Sequence, residues 1–140
     1  MSQESDAASS RPPVARRAHP WRVLIVDDDE ASRKTAAALL SPAGYTLVFA
    51  SSGHEALAAV REASPDLVLL DVMLPDGTGL EICRSLQDRR PRVPVILLTA
   101  LADPRSTVAG LAAGAHDYIV KPFTAATLKE KLDKIFERIG

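Results

Sequence analysis

Five short apolar runs alternate with helix-forming segments along most of this chain. Each run has four or five residues, which suits a buried strand and is too short for a helix. Such an alternation predicts a parallel sheet with helices on both faces and right-handed crossovers. We therefore predict an α/β fold of the doubly wound (βα)5 type, with strand order 2-1-3-4-5. The predicted strands cover residues 22–26, 46–50, 66–70, 95–98 and 117–120.

Capping residues set the expected helix boundaries. Ser, Thr and Asp stabilise the first turn of a helix, and glycine commonly closes the last one. Proline after Asp103 also suits a first helical position. The expected N-terminal caps are Asp29, Ser52 (in a capping box with Glu55), Thr78 (with Glu81), Asp103 and Thr124, and Gly114 is expected to close the fourth helix.

Polar side chains follow four of the predicted strands. Strand 1 ends in three consecutive acids, residues 27–29, and strand 3 ends in Asp71. Strand 4 is followed by Thr99, and strand 5 by Lys121. The carboxyl ends of neighbouring parallel strands meet at one edge of the sheet, where such folds bind ligands. The sequence therefore predicts one site that combines carboxylates, a hydroxyl group and an ammonium group.

The expected site has the chemistry of a divalent metal centre beside a nucleophile. Clustered carboxylates repel each other unless a cation lies among them, and oxygen ligands suit Mg²⁺. A carboxylate such as Asp71 can attack phosphorus and form an aspartyl-phosphate. The metal ion and Lys121 would then neutralise phosphoryl oxygens, and Thr99 would donate a hydrogen bond to one of them.

Together these motifs resemble the receiver domain of two-component response regulators, a flavodoxin-like fold. The resemblance covers roughly residues 22–139. It rests on four segments in the family's order. These segments are Val23–Asp29, Leu69–Gly77, Leu98–Ala100 and Lys121–Phe123.

The resemblance implies a phosphoryl-accepting role and a magnesium site. Asp71 would take a phosphoryl group from the phosphohistidine of a histidine kinase or a phosphotransfer protein. Asp28 would bind Mg²⁺ directly and Asp27 often through water, with Asp71 and the backbone carbonyl of Met73 as further ligands. Lys121 would hold the phosphoryl group.

The resemblance also implies a switch. Thr99 would turn towards the phosphoryl group, Tyr118 would turn inward behind it, and the surface of helix 4, strand 5 and helix 5 would change. That surface would then bind an effector, an output domain or a second copy of the chain. A cis peptide bond before Pro122 is expected, and Met73 and Leu101 would influence the lifetime of the phosphorylated state.

Other functions are less consistent with the residues. Phosphatases with an aspartate nucleophile place a second acid two residues later, where this chain has Met73, and no glycine-rich phosphate loop follows strand 1. We therefore expect no enzyme activity beyond self-phosphorylation and autodephosphorylation. Two readings stay open: a docking domain that phosphorylation does not regulate, and the receiver part of a hybrid kinase or phosphorelay.

Composition sets the expected context. The chain has 140 residues and a formal net charge of −1, which gives no electrostatic case for nucleic-acid or membrane binding. Its single cysteine, Cys83, is expected to pack in the core rather than act in redox chemistry. We expect a cytoplasmic protein with a flexible tail over residues 1–20 and a receiver domain over residues 21–140.

Overall fold

The computed structural model describes residues 20–89, 92–100 and 104–139 of the chain. Five strands in these residues form one parallel sheet in the order β2-β1-β3-β4-β5, which confirms the predicted topology. The predicted tail lies outside the described residues except for Pro20. The strands are β1 (Arg22–Val26), β2 (Thr46–Ala50), β3 (Leu67–Asp71), β4 (Val95–Thr99) and β5 (Asp117–Val120).

Five helices connect and cover the strands. None of the helices in the described part of the chain is long and apolar enough to cross a membrane. A short 3₁₀ turn at Ser41–Ala43 follows the first helix. The helices are α1 (Glu30–Leu40), α2 (Gly53–Ala63), α3 (Gly79–Gln87), α4 (Pro104–Ala112) and α5 (Ala125–Ile139).

The helices pack on both faces of the sheet because the three central strands, β1, β3 and β4, are apolar on both sides. In β1, Leu24 and Val26 face a core shared with α2 and α3, whereas Val23 and Ile25 face a core shared with α1 and α5. Cys83 lies fully buried in the first of these cores, as expected for a packing residue. All residues of β3 and β4 are buried, which leaves only the strand ends for polar chemistry.

Several predicted caps are present. The carboxylate of Asp29 accepts a hydrogen bond from Ser32 N at 3.0 Å, and the hydroxyl of Thr124 accepts one from Thr127 N at 3.1 Å. Gly114 has φ +108° and lies two residues after Ala112, the last residue of α4, as expected for the C′ position. The expected cap at Asp103 lies outside the described residues.

The predicted capping box of α2 is only half correct. Ser52 Oγ accepts from Glu55 N at 3.1 Å, as a box requires. The Glu55 carboxylate, however, accepts from Ser51 N rather than from Ser52 N, at 2.8 Å. The Glu55 side chain therefore holds Ser51, the residue before the N-cap, in place.

The boundaries of β3 differ by one residue from the prediction. Asp66 was expected to open the strand, but its carboxylate accepts a hydrogen bond from Arg22 N at 2.8 Å and it stands before the strand. At the other end, Asp71 pairs with Leu98 and belongs to the strand itself. The candidate nucleophile is thus held by the sheet and not by a loop.

A two-stranded hairpin that the sequence analysis did not predict follows β3. Met73–Leu74 pairs antiparallel with Gly77–Thr78, and Gly77 adopts φ +146° at the turn. At the base of the hairpin, Gly79 N donates to Val72 O at 2.6 Å. A Cβ atom on Gly79 would lie 2.2 Å from the backbone oxygen of Asp71, so only glycine allows this approach.

We predict that Gly79→Ala lowers the free energy of unfolding by about 1–3 kcal/mol, the usual cost of overpacking. The added methyl group would meet rigid backbone at Asp71 rather than a movable side chain. Urea denaturation measures the effect. Gly44→Ala is the control, because no atom lies within 4 Å of its added Cβ and only its φ of +90° opposes the change. A Gly79 variant as stable as the wild type would contradict the close approach.

Candidate functional site: an acidic pocket at the carboxyl ends of the strands

Three aspartates meet at the carboxyl edge of the sheet. Asp27 and Asp28 follow β1, and Asp71 ends β3. The register pairs Val26 with Leu70, so the next residue of each strand carries its carboxylate to the same place. One oxygen from each of the three aspartates lies within 4.8 Å of the others. Asp27 is 1% exposed and Asp71 is 9% exposed, whereas Asp28 faces solvent.

Lys121 joins two of these carboxylates. Its Nζ lies 2.6 Å from Asp27 Oδ2 and 3.0 Å from Asp71 Oδ2. Lys121 follows β5, and its backbone N donates to Thr99 O at 2.8 Å, which fixes the start of the side chain. The peptide bond between Lys121 and Pro122 is cis, as predicted. One ammonium group therefore serves two buried acids.

Backbone and side-chain donors hold the two acids in position. Asp27 Oδ1 accepts from Asp29 N at 3.0 Å, and Asp71 Oδ1 accepts from Met73 N at 3.1 Å. Arg33, from α1, donates to the backbone oxygen of Asp27 at 2.6 Å. Each buried carboxylate therefore uses one oxygen for Lys121 and the other for a backbone N–H.

Burial raises the pKa of Asp71 above its ordinary value, because the charged form loses its hydration. Lys121 and the N–H of Met73 oppose the shift, and the charge of Asp27 adds to it. Burial alone would lower the pKa of Lys121, but hydrogen bonds to Asp27 and Asp71 raise it overall. Both directions are consistent: the ammonium group remains charged, and it is shared between two acids.

The pocket opens into a cleft of about 560 Å³. Its walls come from the start of α1, the segment after β3, the end of β4 and the loop after β5. Met73 lines the cleft and is 69% exposed. Asp71 lines this cleft, so a molecule from solvent can reach its carboxylate. Lining residues include Ser32, Asp71, Met73, Ala100, Lys121 and Phe123.

The two expected switch residues lie on the neighbouring strands β4 and β5. Thr99 is 2% exposed, and its hydroxyl donates to Ala100 O at 3.3 Å. Tyr118 is half-buried on β5, where it packs against the core shared with α2 and α3. The Nζ of Lys131 lies 5.7 Å from the centre of the Tyr118 ring. Leu101, the other residue expected to affect the phosphorylated state, lies outside the described residues.

The donor set of the pocket suits a hard divalent cation. All three side chains offer carboxylate oxygens, and carboxylates together with backbone oxygen and water are the usual ligands of Mg²⁺. The three carboxylates carry three negative charges and Lys121 only one positive charge. A divalent cation would balance the remaining two.

The parallel sheet and the acidic pocket at its carboxyl edge define a receiver-type fold, and comparison with known proteins agrees with this class. The chain belongs to the response regulator receiver domain family, which it matches over residues 23–133.

Among particular relatives, the response regulator MprA of Mycolicibacterium vanbaalenii is 42% identical over 119 residues. The match covers 85% of this chain and 52% of that protein, so the chain spans about half the length of this curated relative. A CheY-like receiver domain protein from Methanospirillum hungatei superposes with a TM-score of 0.80 at 34% identity, over 85% of this chain and 95% of that one.

A third relative comes from a kinase. The receiver domain of a signal transduction histidine kinase from Syntrophus aciditrophicus has a TM-score of 0.78 at 32% identity, over 85% of this chain and 92% of that one. The fold thus occurs both in proteins named as response regulators and in one named as a histidine kinase.

Two contacts near the pocket were not found by the sequence analysis. Arg33 bonds the backbone of Asp27, and Asp76 bonds the start of α2. No periodicity or motif in the sequence indicates either contact, because each joins two segments that only the folded sheet brings close together.

We predict that Asp71→Asn raises the free energy of unfolding at neutral pH by on the order of 1 kcal/mol. The raised pKa means that the charged carboxylate costs more in the folded than in the unfolded state, and Asn removes that charge. Lys121 keeps Asp27 as a partner, so the substitution leaves no unpaired ammonium group. Urea denaturation of both proteins measures the difference.

The pH dependence provides the control for this prediction. As the pH falls through the raised pKa of Asp71 towards the unfolded value of 3.8, the wild-type carboxyl group becomes neutral in both states. The difference in the free energy of unfolding between the Asn variant and the wild-type protein should then become smaller. An advantage that is constant over this range would show that packing, and not charge, is its cause.

Proposed function

We propose that this receiver domain is a phosphoacceptor in two-component signalling, with Asp71 as the phosphorylated residue. The observation that carries this proposal is the environment of Asp71. Its carboxylate ends a buried strand, opens to a cleft, lies 3.0 Å from the Lys121 ammonium group, and has two further carboxylates within metal-binding distance. This combination supplies a nucleophile, a route for the donor and the positive charge that a phosphoryl group requires.

In the proposed reaction, a carboxylate oxygen of Asp71 attacks the phosphorus atom of a phosphohistidine. A new P–O bond forms, the P–N bond breaks, and the imidazole leaves with its electron pair and takes up a proton. Lys121 is already in contact with the Asp71 carboxylate, so it can hold the transferred group without a large movement. Hydrolysis of the acyl phosphate would later restore the free acid. The domain would thus be a signalling protein rather than an enzyme with a separate substrate.

Asp27, Asp28, Asp71 and the backbone carbonyl of Met73 are the proposed ligands of Mg²⁺. Asp28 is suited to direct contact with the ion because it is the exposed member of the three. Asp27 is the most deeply buried of the three, at 1% exposure, and both of its side-chain oxygens already accept hydrogen bonds, which suits a contact through water. The ion would supply charge neutralisation for the phosphoryl oxygens.

Thr99 and Tyr118 are the proposed switch. The Thr99 hydroxyl would exchange its bond to Ala100 O for a bond to a phosphoryl oxygen. Tyr118, which is half-buried, would then move further inward and change the surface of α4, β5 and α5. Such a change is a shift between two states driven by new charge-assisted contacts.

Partners follow from the proposed chemistry. A histidine kinase or a phosphotransfer protein would donate the phosphoryl group in the cytoplasm, and an output domain, an effector protein or a second phosphorylated copy would read the switch. Residues 21–140 would form the functional unit. The similarity to the receiver domain of a histidine kinase keeps a second candidate in view, the receiver part of a hybrid kinase. In either setting Asp71 would be the acceptor.

Acetyl phosphate tests the phosphorylation directly. We predict that incubation with acetyl phosphate and Mg²⁺ adds one phosphoryl mass to the protein, and that Asp71→Asn or removal of Mg²⁺ with EDTA abolishes the addition. Intact-mass spectrometry measures it. Asp66→Asn is a matched control, because Asp66 bonds the backbone at the opposite end of the sheet. No labelling of the wild-type protein would favour the docking domain that phosphorylation does not regulate.

Beryllium fluoride, a phosphoryl mimic, tests the switch. We predict that it shifts backbone NMR signals of α4, β5 and α5 as well as those of the pocket. Thr99→Ala should confine the shifts to the pocket, because it removes the hydroxyl that links the two regions. Shifts that reach α4 and α5 equally in the variant would contradict the role of Thr99.

A further inference from the structure

Asp76 connects the hairpin after Asp71 to the start of α2. Its Oδ1 accepts from Gly53 N at 2.9 Å and its Oδ2 accepts from His54 N at 3.0 Å. These donors lie 23 and 22 residues away in the sequence. Ser52 Oγ accepts from Glu55 N, so the first three N–H groups of α2 are all bonded, two of them by a residue from another element.

The contact is close because α2 begins with glycine. A Cβ atom on Gly53 would lie 2.8 Å from Ile82 Cδ1 and 3.3 Å from Asp76 Oδ1. A side chain at position 53 would press first on the flexible end of Ile82 and would also crowd Asp76 Oδ1. Glycine at this position leaves room for the contact between Asp76 and the start of α2.

The hairpin that Asp76 holds also carries Met73. Its base is bonded by Gly79 N to Val72 O, and its strands pair Met73 with Thr78. Asp76 holds the tip, three residues from Met73. The backbone of Met73 lies between these two attachments, and its N–H bonds the Asp71 carboxylate.

The start of α2 is in turn connected to the other side of the pocket. Asp27 N donates to Ala50 O, the last residue of β2, at 3.0 Å. Three residues after Ala50, α2 begins at Gly53. Asp76 therefore closes a ring of contacts that joins the loop of Asp27 to the segment after Asp71.

We propose that Asp76 is a positioning residue for cation binding in the acidic pocket: by tying the hairpin to α2, it fixes the backbone of Met73 relative to Asp71 and Asp27. The proposal rests on the proposed function, since it concerns the magnesium site of the same pocket. Groups that hold metal ligands in place commonly change metal affinity by about 10–100-fold when they are removed.

The test is Mg²⁺ binding without any phosphodonor, measured by isothermal titration calorimetry and by backbone NMR. We expect Asp76→Ala to raise the Kd for Mg²⁺ by about tenfold, at the lower end of such effects because the residue acts through backbone. At saturating Mg²⁺, labelling by acetyl phosphate should return to the wild-type rate. The NMR signals of the Gly53 and His54 amides show whether their hydrogen bonds to residue 76 are lost.

Ser52→Ala is the matched control. It removes another cap from the same turn of α2 but does not touch the hairpin. Equal losses of Mg²⁺ affinity in both variants would overturn the proposal, because they would show that only the stability of α2 matters. Asp76→Asn, which keeps one carbonyl acceptor, should have an intermediate Kd and provides a second variant if Asp76→Ala does not fold.

Charge is separated from geometry by Asp76→Glu. This variant keeps the negative charge. A Kd for Mg²⁺ that rises only when the hydrogen bonds of the Gly53 and His54 amides are lost supports a positioning role. If variants that have lost the hydrogen bonds from Gly53 N and His54 N bind Mg²⁺ with the wild-type Kd, the role of Asp76 is overturned and the proposed function is not affected. Absence of Mg²⁺ binding by the wild-type protein would instead overturn the proposed function.

Discussion

The ammonium group of Lys121, shared between Asp27 and Asp71, is the interaction on which the rest of the site depends. The three residues come from the ends of β5, β1 and β3, and Lys121 lies 94 and 50 residues from its two partners. Without the lysine, two buried carboxylates would face each other at high electrostatic cost. Because the ammonium group is shared, the charge of the pocket stays negative enough to attract a cation. The sheet topology thus allows acids to be buried and yet remain available for chemistry.

Four carboxylates of the described residues illustrate how opposite environments shift a pKa in opposite directions. Asp29, Glu55 and Asp76 all lie at helix N-termini, where hydrogen bonds to the charged form lower each pKa. Asp71 is the contrast, because burial raises its pKa. The first three stabilise the loops around the pocket. Asp71 is instead held in an environment that disfavours its charge, and a divalent cation bound beside it would offset this cost.

Most of the fold was predictable from sequence, because its signals are local. Apolar runs of strand length, caps at Asp29 and Thr124, and a closing glycine at Gly114 each depend on a few neighbouring residues. The hairpin after Asp71 was missed, because two-residue strands have no periodicity. The strand limits near Asp66 and Asp71 were one residue off, since hydrogen bonds between strands set them and no single segment encodes these bonds.

The sequence by itself determined which residues stand at the strand ends, and hence that three aspartates, a threonine and a lysine share one edge. Only the tertiary structure decided how they connect. It assigned one oxygen of Asp27 and one of Asp71 to the same lysine, placed Arg33 on the backbone of Asp27, and joined Asp76 to Gly53. The physical reason is range. Strand and helix signals arise from neighbours in the chain, whereas these bonds form between groups that only packing of the completed sheet brings within 3 Å.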